Sequence, residues 1–418
     1  MHLPATLRAA TAQLAHFPEL AQAWRLRAAD PRAALSLVER AAQIFEAVPV
    51  PPLQLAVQAS LAQALRATGA LAREGEVWAG ASRLVEAEEP ALRLLALNGG
   101  ASAALHRGEV AEVARLCEAA EVLLPPPGRP SAWRSTFGAH CSLSATLGMA
   151  DAPGDAPSLV DALRADADAR ADEAGVGGEG DEGAAAAAAA EAAKEGTSLL
   201  LGDALLAAGR GDEALELWTA LLPTTDDATA ARSLRVVAAR DRLGRAALGA
   251  GDAAAAREHF AAALELCEGA SLAAATVDGG GAHPMLYCSL GRLASALTAL
   301  GDITAAEGLY HNAVDRLAGG AAGRELGGPA PPPPSVPLLV PTLYGFADLL
   351  EQLVWNGKPR SDEAAALRAR AAELRAGLAR AGVRRAEQAD GWLGLEPWYA
   401  AACEPDWLDE CVAGAAAA

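Results

Sequence analysis

The 418-residue chain is long enough for two or three ordinary domains or for one elongated repeat array. Hydrophobic residues make up 52%, much of it alanine, against only 4% aromatics, a balance that favours closely packed helices and excludes a strand-rich fold. A formal net charge of −19 excludes bulk binding to nucleic acid or anionic membrane, since both need a basic face. No run offers about 20 apolar residues of real hydrocarbon bulk, and the alanine run at 184–190 is too short to span a bilayer.

Taken in chain order, the first 18 residues lack acids and hold one arginine, which suits an ordinary first helix better than a transit peptide. Apolar periodicity predicts a helical hairpin over 5–47 and another over 60–85, centred on Gly69 and Trp78. A third, over 98–123, centres on Gly108, Cys117 and Ala120, and a fourth occupies 131–150. These make residues 1–150 a set of degenerate hairpins. Residues 151–196 then form an acidic, glycine- and alanine-rich insert without core-forming bulk. The expectation there is a loop or frayed helix, with 155–195 mobile and contributing no core.

The clearest pattern fills 197–318. "LLLGDALLAAGRGDEALELWTALL" (199–222), "DRLGRAALGAGDAAAAREHFAAALEL" (241–266) and "HPMLYCSLGRLASALTALGDITAAEGLYHNAV" (283–314) share one template. Each has an apolar stripe, a turn at Gly209, Gly251 or Gly301, a small residue five positions on (Ala214, Ala256, Ala306) and a ring four further (Trp218, Phe260, Tyr310). That is two amphipathic helices joined by a tight turn. Small residues at Gly244/Ala294 and Ala256/Ala306 let paired helices approach to roughly 8–10 Å, and the ring fills the space against the next hairpin. Ala306 is therefore expected at a buried helix crossing. Such a unit cannot bury its apolar faces alone, so copies stack.

These three copies resemble the tetratricopeptide repeat family. The steps of 42 residues from Ala214 to Ala256 and 50 from Ala256 to Ala306 exceed the basic unit of about 34 residues and imply longer helices or loops between repeats, and the "HP" start and "AEGLY" ending of the third copy resemble the longer, kinesin-light-chain-like repeats. The resemblance implies an all-α fold, a right-handed α-solenoid of tetratricopeptide-like hairpins, about eight in all by periodicity.

Residues 319–337 follow as a glycine- and proline-rich loop with four consecutive prolines at 331–334. A further hairpin is predicted over 338–390, with helices around Leu343, Phe346, Ala347 and Leu350 and from Asp362, and a lengthened turn at Gly357-Lys358-Pro359. The last segment, 391–418, carries Trp392, Trp398 and Trp407 among acids. It either caps the exposed apolar face of the last hairpin, the preferred reading, or docks a partner through its tryptophans.

Motifs for chemistry are few. "GVGGEG" at 175–180 matches a dinucleotide-binding spacing, but without a strand before it. His140 and Cys141 are adjacent, so their side chains diverge on a helix and form no nucleophile–base pair. His283 precedes Pro284 at a helix start. The six cysteines, with no C-x-x-C, read as reduced and mostly buried thiols of a cytoplasmic or organelle-interior protein. No catalytic residue, metal site or cofactor site is assigned.

One asymmetry remains: "RSLRVVAARDRLGR" (232–245) holds five arginines and one aspartate in a strongly acidic chain. In tetratricopeptide arrays the first helix of each hairpin lines a concave groove, and chaperone-binding members hold a terminal carboxylate with basic residues there. The resemblance makes Arg242, Arg245 and Arg292 candidate partner-binding residues, placed off the apolar stripe, for an acidic peptide or C-terminal carboxylate. Leu199 and Asp203 stand where those members carry lysine and asparagine, so that particular clamp is not reproduced. The plain alternative is a solvated face with surface ion pairs. The resulting reading is a non-catalytic scaffold or adaptor. A constitutive subunit or assembly factor of a large complex, and a regulatory subunit or enzyme with an unrecognised site, stand as alternatives.

Overall fold

The computed structural model describes residues 5–26, 30–68, 70–124, 132–149, 156–175, 181–222, 234–278, 284–318, 336–355 and 358–380. These form helices α1 (Ala5–Leu14), α2 (Pro18–Leu26), α3 (Pro31–Glu46), α4 (Pro51–Thr68), α5 (Leu71–Leu84) and α6 (Pro90–His106). They continue with α7 (Val110–Glu121), α8 (Ala132–Met149), α9 (Ala156–Gly175), α10 (Asp181–Ala207) and α11 (Gly211–Ala220). The rest are α12 (Leu234–Gly249), α13 (Ala253–Asp278), α14 (Pro284–Leu300), α15 (Ile303–Leu317), α16 (Val336–Glu351) and α17 (Ser361–Arg380). A two-residue antiparallel ribbon, β1 (Val354–Trp355) with β2 (Lys358–Pro359), joins the last two helices. The fold is an all-α solenoid, in which each helix packs chiefly on its neighbours in the chain.

The described residues divide into two compact units, one up to Leu200 and one from Leu201 to Arg380. In the first, α4 touches α6 and α6 touches α8, while α5 and α7 pack between them in chain order. Its core gathers Leu7, Leu14, Leu20, Leu55, Leu65, Trp78, Leu92 and Leu95. In the second, α12 touches α14 and α14 touches α16 in the same way. Within each unit, first helices thus touch the next first helix, as hairpin stacking requires.

The turn chemistry explains why the template has its spacing. Gly108, Gly209, Gly251 and Gly301 have φ of 69°, 76°, 84° and 81°, the left-handed region in which a Cβ is costly. At each, the next N–H reaches back into the last turn of the first helix: Glu109 to the Ala104 carbonyl (2.9 Å), Arg210 to Leu205 (2.8 Å), Asp252 to Ala247 (2.9 Å) and Asp302 to Leu297 (3.0 Å). These bonds end the first helix cleanly. Asp252 and Asp302 then start the second, their Oδ1 accepting from the N–H of Ala255 at 3.0 Å and of Ala305 at 3.3 Å. One two-residue unit closes a helix and opens the next.

Counting from each turn glycine, the buried positions recur. Five residues on lie Val113, Ala214, Ala256 and Ala306, all fully buried. Nine on lie Cys117, Trp218, Phe260 and Tyr310, also buried. The rings rest on glycine or on the next hairpin. A Cβ on Gly202 would come within 2.1 Å of Trp218, and one on Gly244 within 2.5 Å of Phe260. Tyr310 stacks on Phe346 of α16 with centroids 5.4 Å apart, and its hydroxyl meets Ser295 at 2.8 Å. The expectation for Ala306 holds.

Several boundaries differ from those read in the sequence. Residues 5–47 make three helices, and 132–149 is one long helix and no hairpin. It packs on α7 and α6 and also on α9, which lies inside the acidic insert. The expectation that 155–195 supplies no core is corrected at Val160 and Leu163, which are buried, and Asp166 accepts hydrogen bonds from Ser142 (2.9 Å) and Thr197 (3.1 Å). Val160 and Leu163 anchor a helix whose remaining residues are mostly alanine and charged. The loop at 319–335 and the tryptophans of 391–411 lie outside the described residues.

Two stability outcomes follow from the turn and the crossing. Ala306→Leu should overpack the crossing and lower unfolding free energy by roughly 1–3 kcal/mol in urea titration. Asp302→Ala should cost about 1 kcal/mol through loss of the cap.

Candidate functional site

The arginine-rich segment occupies α12, which begins at Leu234. Arg242 and Arg292 sit at the same register, each nine residues before a turn glycine and one before a leucine. Both point back to a carboxylate on the preceding first helix. Arg242 is only 3% exposed. Its Nε donates to both Asp203 carboxylate oxygens at 3.0 Å, its Nη2 to Asp203 Oδ2 at 2.7 Å and its Nη1 to the Ala238 carbonyl at 3.3 Å. Arg292 Nε lies 3.4 Å from Asp241 Oδ1, and Arg245 Nε lies 2.9 Å from Asp241 Oδ2 one helical turn away. The three sequence-predicted residues are therefore brought together, around Asp203 and Asp241.

Their environments differ, and this corrects one expectation. Arg242 is not off the packed interior. It is a buried guanidinium held by a carboxylate, and losing either partner would strand a charge. Arg245 is 41% exposed and Arg292 25%, so these two reach the surface. Asp203, the partner of Arg242, was noted only as a departure from the carboxylate clamp, and Asp241, the hub between the other two, was not singled out. The signal was present in the shared register of Arg242 and Arg292, because a cation repeated at one repeat position needs a matching anion in the preceding copy.

Electrostatics of the cluster follow from burial and charge. Burial raises the Asp241 carboxyl, but Arg245, Arg292 and Arg242 together outweigh it and hold the group below the usual carboxylate range. Three guanidinium groups against two carboxylates leave one formal positive charge. Nearby on the same unit, Cys267 and Cys288 are buried, and burial pushes both thiols up to about 11. Both are protonated at neutral pH and are not nucleophiles. Arg240 Nη1 lies 3.3 Å from His259 Nδ1, and burial and then Arg240 lower that imidazole.

In the first unit, His140 and Cys141 do diverge: the histidine is fully buried and the cysteine exposed. His140 Nε2 meets Asn98 Oδ1 at 2.7 Å, and burial takes the imidazole down to about 3. It is neutral across the physiological range and a weak base. Arg66 and Glu74 form another interior pair at 2.6 Å, with Arg66 also donating to Ser102 Oγ at 3.1 Å. Glu74 stands five residues after Gly69, where other copies carry a small apolar side chain. No helix among the described residues is long and apolar enough to cross a membrane.

No family model matches the chain, and no curated protein matches it. Among solved structures it is similar to the apo form of the quorum sensor NprR from B. thuringiensis, at 12% identity, over 86% of this chain and 98% of that one, with a TM-score of 0.40. The fold assignment rests on the helix packing itself.

Two outcomes separate the roles of these charges. Asp203→Asn should cost on the order of 3 kcal/mol, because it leaves the Arg242 guanidinium buried without its anion. For Asp241 the folded carboxyl is depressed, so its stabilisation is complete above the ordinary aspartate range near ~4 and is lost as pH falls through the lower folded value. The stability advantage of wild type over Asp241→Asn should shrink steadily below pH ~4 in urea midpoints measured across pH.

Proposed function

We propose that the chain is a non-catalytic interaction scaffold, a tetratricopeptide-like array whose second unit receives an acidic segment or C-terminal carboxylate of a protein partner. Arg245 and Arg292 make the contact. Arg242 is the positioning residue, locking α12 to α10 through Asp203. One observation carries this reading. In a chain of charge −19, three arginines converge from two first helices, and the two that reach the surface share a single aspartate.

The chemistry is that of charge-assisted recognition. An incoming carboxylate can accept from guanidinium N–H groups in the planar, sometimes bidentate geometry that lysine cannot offer. Asp241 orients both guanidinium groups and keeps the empty site from carrying the full repulsion of three like charges. It also competes with the ligand. Affinity is then modest and strongly salt-sensitive, since surface charges are screened over about 8–10 Å at physiological ionic strength.

Fluorescence anisotropy with labelled acidic hexapeptides, free or amidated at the C-terminus, tests the proposal. The free-carboxylate peptides should bind best and weaken as salt rises. Arg245→Glu and Arg292→Glu should each lower affinity by roughly tenfold or more with helicity unchanged. Equal binding of neutral amidated peptides, or full affinity in both variants, would place recognition elsewhere.

A further inference from the structure

The hairpin α12–α13 departs from the others at one contact. Eight residues after the turn glycine, Val77, Leu116, Leu217 and Leu309 are aliphatic, whereas α13 carries His259. Eleven residues before it, Leu97 and Leu290 are aliphatic and Gln58 and Ser198 are neutral, whereas α12 carries Arg240. The two exceptions meet. Arg240 Nη1 lies 3.3 Å from His259 Nδ1. Arg240 stands one helical turn before Gly244, and His259 adjoins Phe260, the ring that rests on that glycine. An arginine and an imidazole thus share a seam where α14–α15 has Leu290 and Leu309 at the same two positions.

A guanidinium only donates, so Nδ1 is the acceptor and the imidazole is neutral, with its proton on Nε2. Burial first, and then Arg240, lower the His259 pKa, which agrees with that state, while Glu258 acts in the opposite direction. The pair leaves one positive charge without a counter-charge. Buried Arg242 and Arg66 have Asp203 and Glu74 against them. Arg240 has no carboxylate within ion-pairing distance among the described residues, and its Nε is buried without a hydrogen-bond partner. Glu258 is exposed and does not pair with it. A partly desolvated guanidinium is costly unless an anion reaches it. Both side chains are half-buried, so solvent reaches the pair.

We propose that Arg240 and His259 form a binding site for a phosphate group. The guanidinium supplies a permanent positive charge and N–H donors, and the imidazole supplies Nε2–H. Charge favours phosphate over carboxylate. A carboxylate matches Arg240 alone, whereas a phosphate monoester carries about −1.5 to −2 near neutral pH. His259 takes up a proton to match the second charge. Arg240 and Glu258 are the charges that act on this imidazole, and an anion that offsets Arg240 removes the cation that lowers it. The site lies where α12 meets α13, whereas Arg242 meets Asp203 of α10 and Asp241 meets Arg292 of α14. It does not depend on peptide binding at Arg245 and Arg292.

Nuclear magnetic resonance of the full chain with isotope-labelled histidine tests the proposal. The chain has seven histidines, and the His259 signal is the one lost in His259→Leu, which restores the aliphatic residue of the other hairpins. Inorganic phosphate should shift the His259 signal saturably and raise its titration midpoint, and sodium chloride at the same ionic strength should do neither. Arg240→Gln should lower phosphate affinity by roughly tenfold or more, with the other histidine signals in place as the sign of an intact fold. Calorimetry of phosphate with His259→Leu should show a loss of the same order, and it keeps the test decisive if Arg240→Gln does not fold. A phosphoserine hexapeptide that binds roughly tenfold more tightly than inorganic phosphate would assign the site to a phosphorylated segment, and equal binding to a free phosphate or small phosphate ester. The proposal is overturned if chloride moves the His259 signal as phosphate does, or if Arg240→Gln keeps full phosphate affinity. It is also overturned if the unphosphorylated serine peptide binds as well as the phosphopeptide, or if acetate raises the midpoint as far as phosphate does.

Discussion

The contact on which the hairpins depend is a ring laid against a helix that has no side chain at that point. Phe260 lies over Gly244 and Trp218 over Gly202, closer than any Cβ would permit. Glycine inside a helix costs about 1 kcal/mol relative to alanine. It is kept here because a buried ring, with its large apolar surface, more than offsets that cost. The turn sets where the ring arrives. A left-handed glycine ends one helix, an aspartate caps the next in two of the four turns, and residues five and nine positions later are thereby fixed on the inner face. Local chemistry and tertiary packing agree on one register, which is what lets an alanine-rich chain specify a single stack.

Interior charges perform a second task in the same setting. Alanine brings little bulk to a seam, and a long arginine stem fills space that a small side chain cannot. Arg242 with Asp203, and Arg66 with Glu74, sit inside their units with carboxylate partners from a neighbouring or paired helix. Such pairs add little net stability over apolar residues of the same shape, but they penalise any shift of one helix against the next. That bears on function, because a guanidinium committed to the interior is unavailable to a ligand. In the function proposed above, contact with the partner is therefore assigned to Arg245 and Arg292, whose side chains reach the surface.

Much of the fold was legible in the sequence, for a physical reason. Turn glycine, small residue and ring each have a steric requirement, and three intact copies made Ala256, Ala306, Phe260 and Tyr310 readable as buried. Where a copy lost one element, the reading lost accuracy. Residues 132–149 look like a hairpin by apolar count, yet they lack a turn glycine with the template's followers and run as one helix. One of the helices they pack on, α9, was hidden because its short aliphatic run, Leu159, Val160 and Leu163, is followed by a stretch of mostly alanine and charged residues. The arginine cluster was legible as a set of residues but not in its roles. Burial of Arg242 depends on Asp203, 39 residues earlier, and no local pattern exposes a partner at that distance.

The central claim is that glycine occupies the first helix because a ring from the second helix lies on it. A double-mutant cycle in urea on Gly244→Ala and Phe260→Ala tests this most directly. The account predicts that Gly244→Ala destabilises the wild-type chain, where the new methyl meets the ring. In the Phe260→Ala background the same change should become neutral or stabilising, by up to about 1 kcal/mol, because alanine is the better helix former once the ring is gone. An effect of Gly244→Ala that is the same in both backgrounds would contradict it.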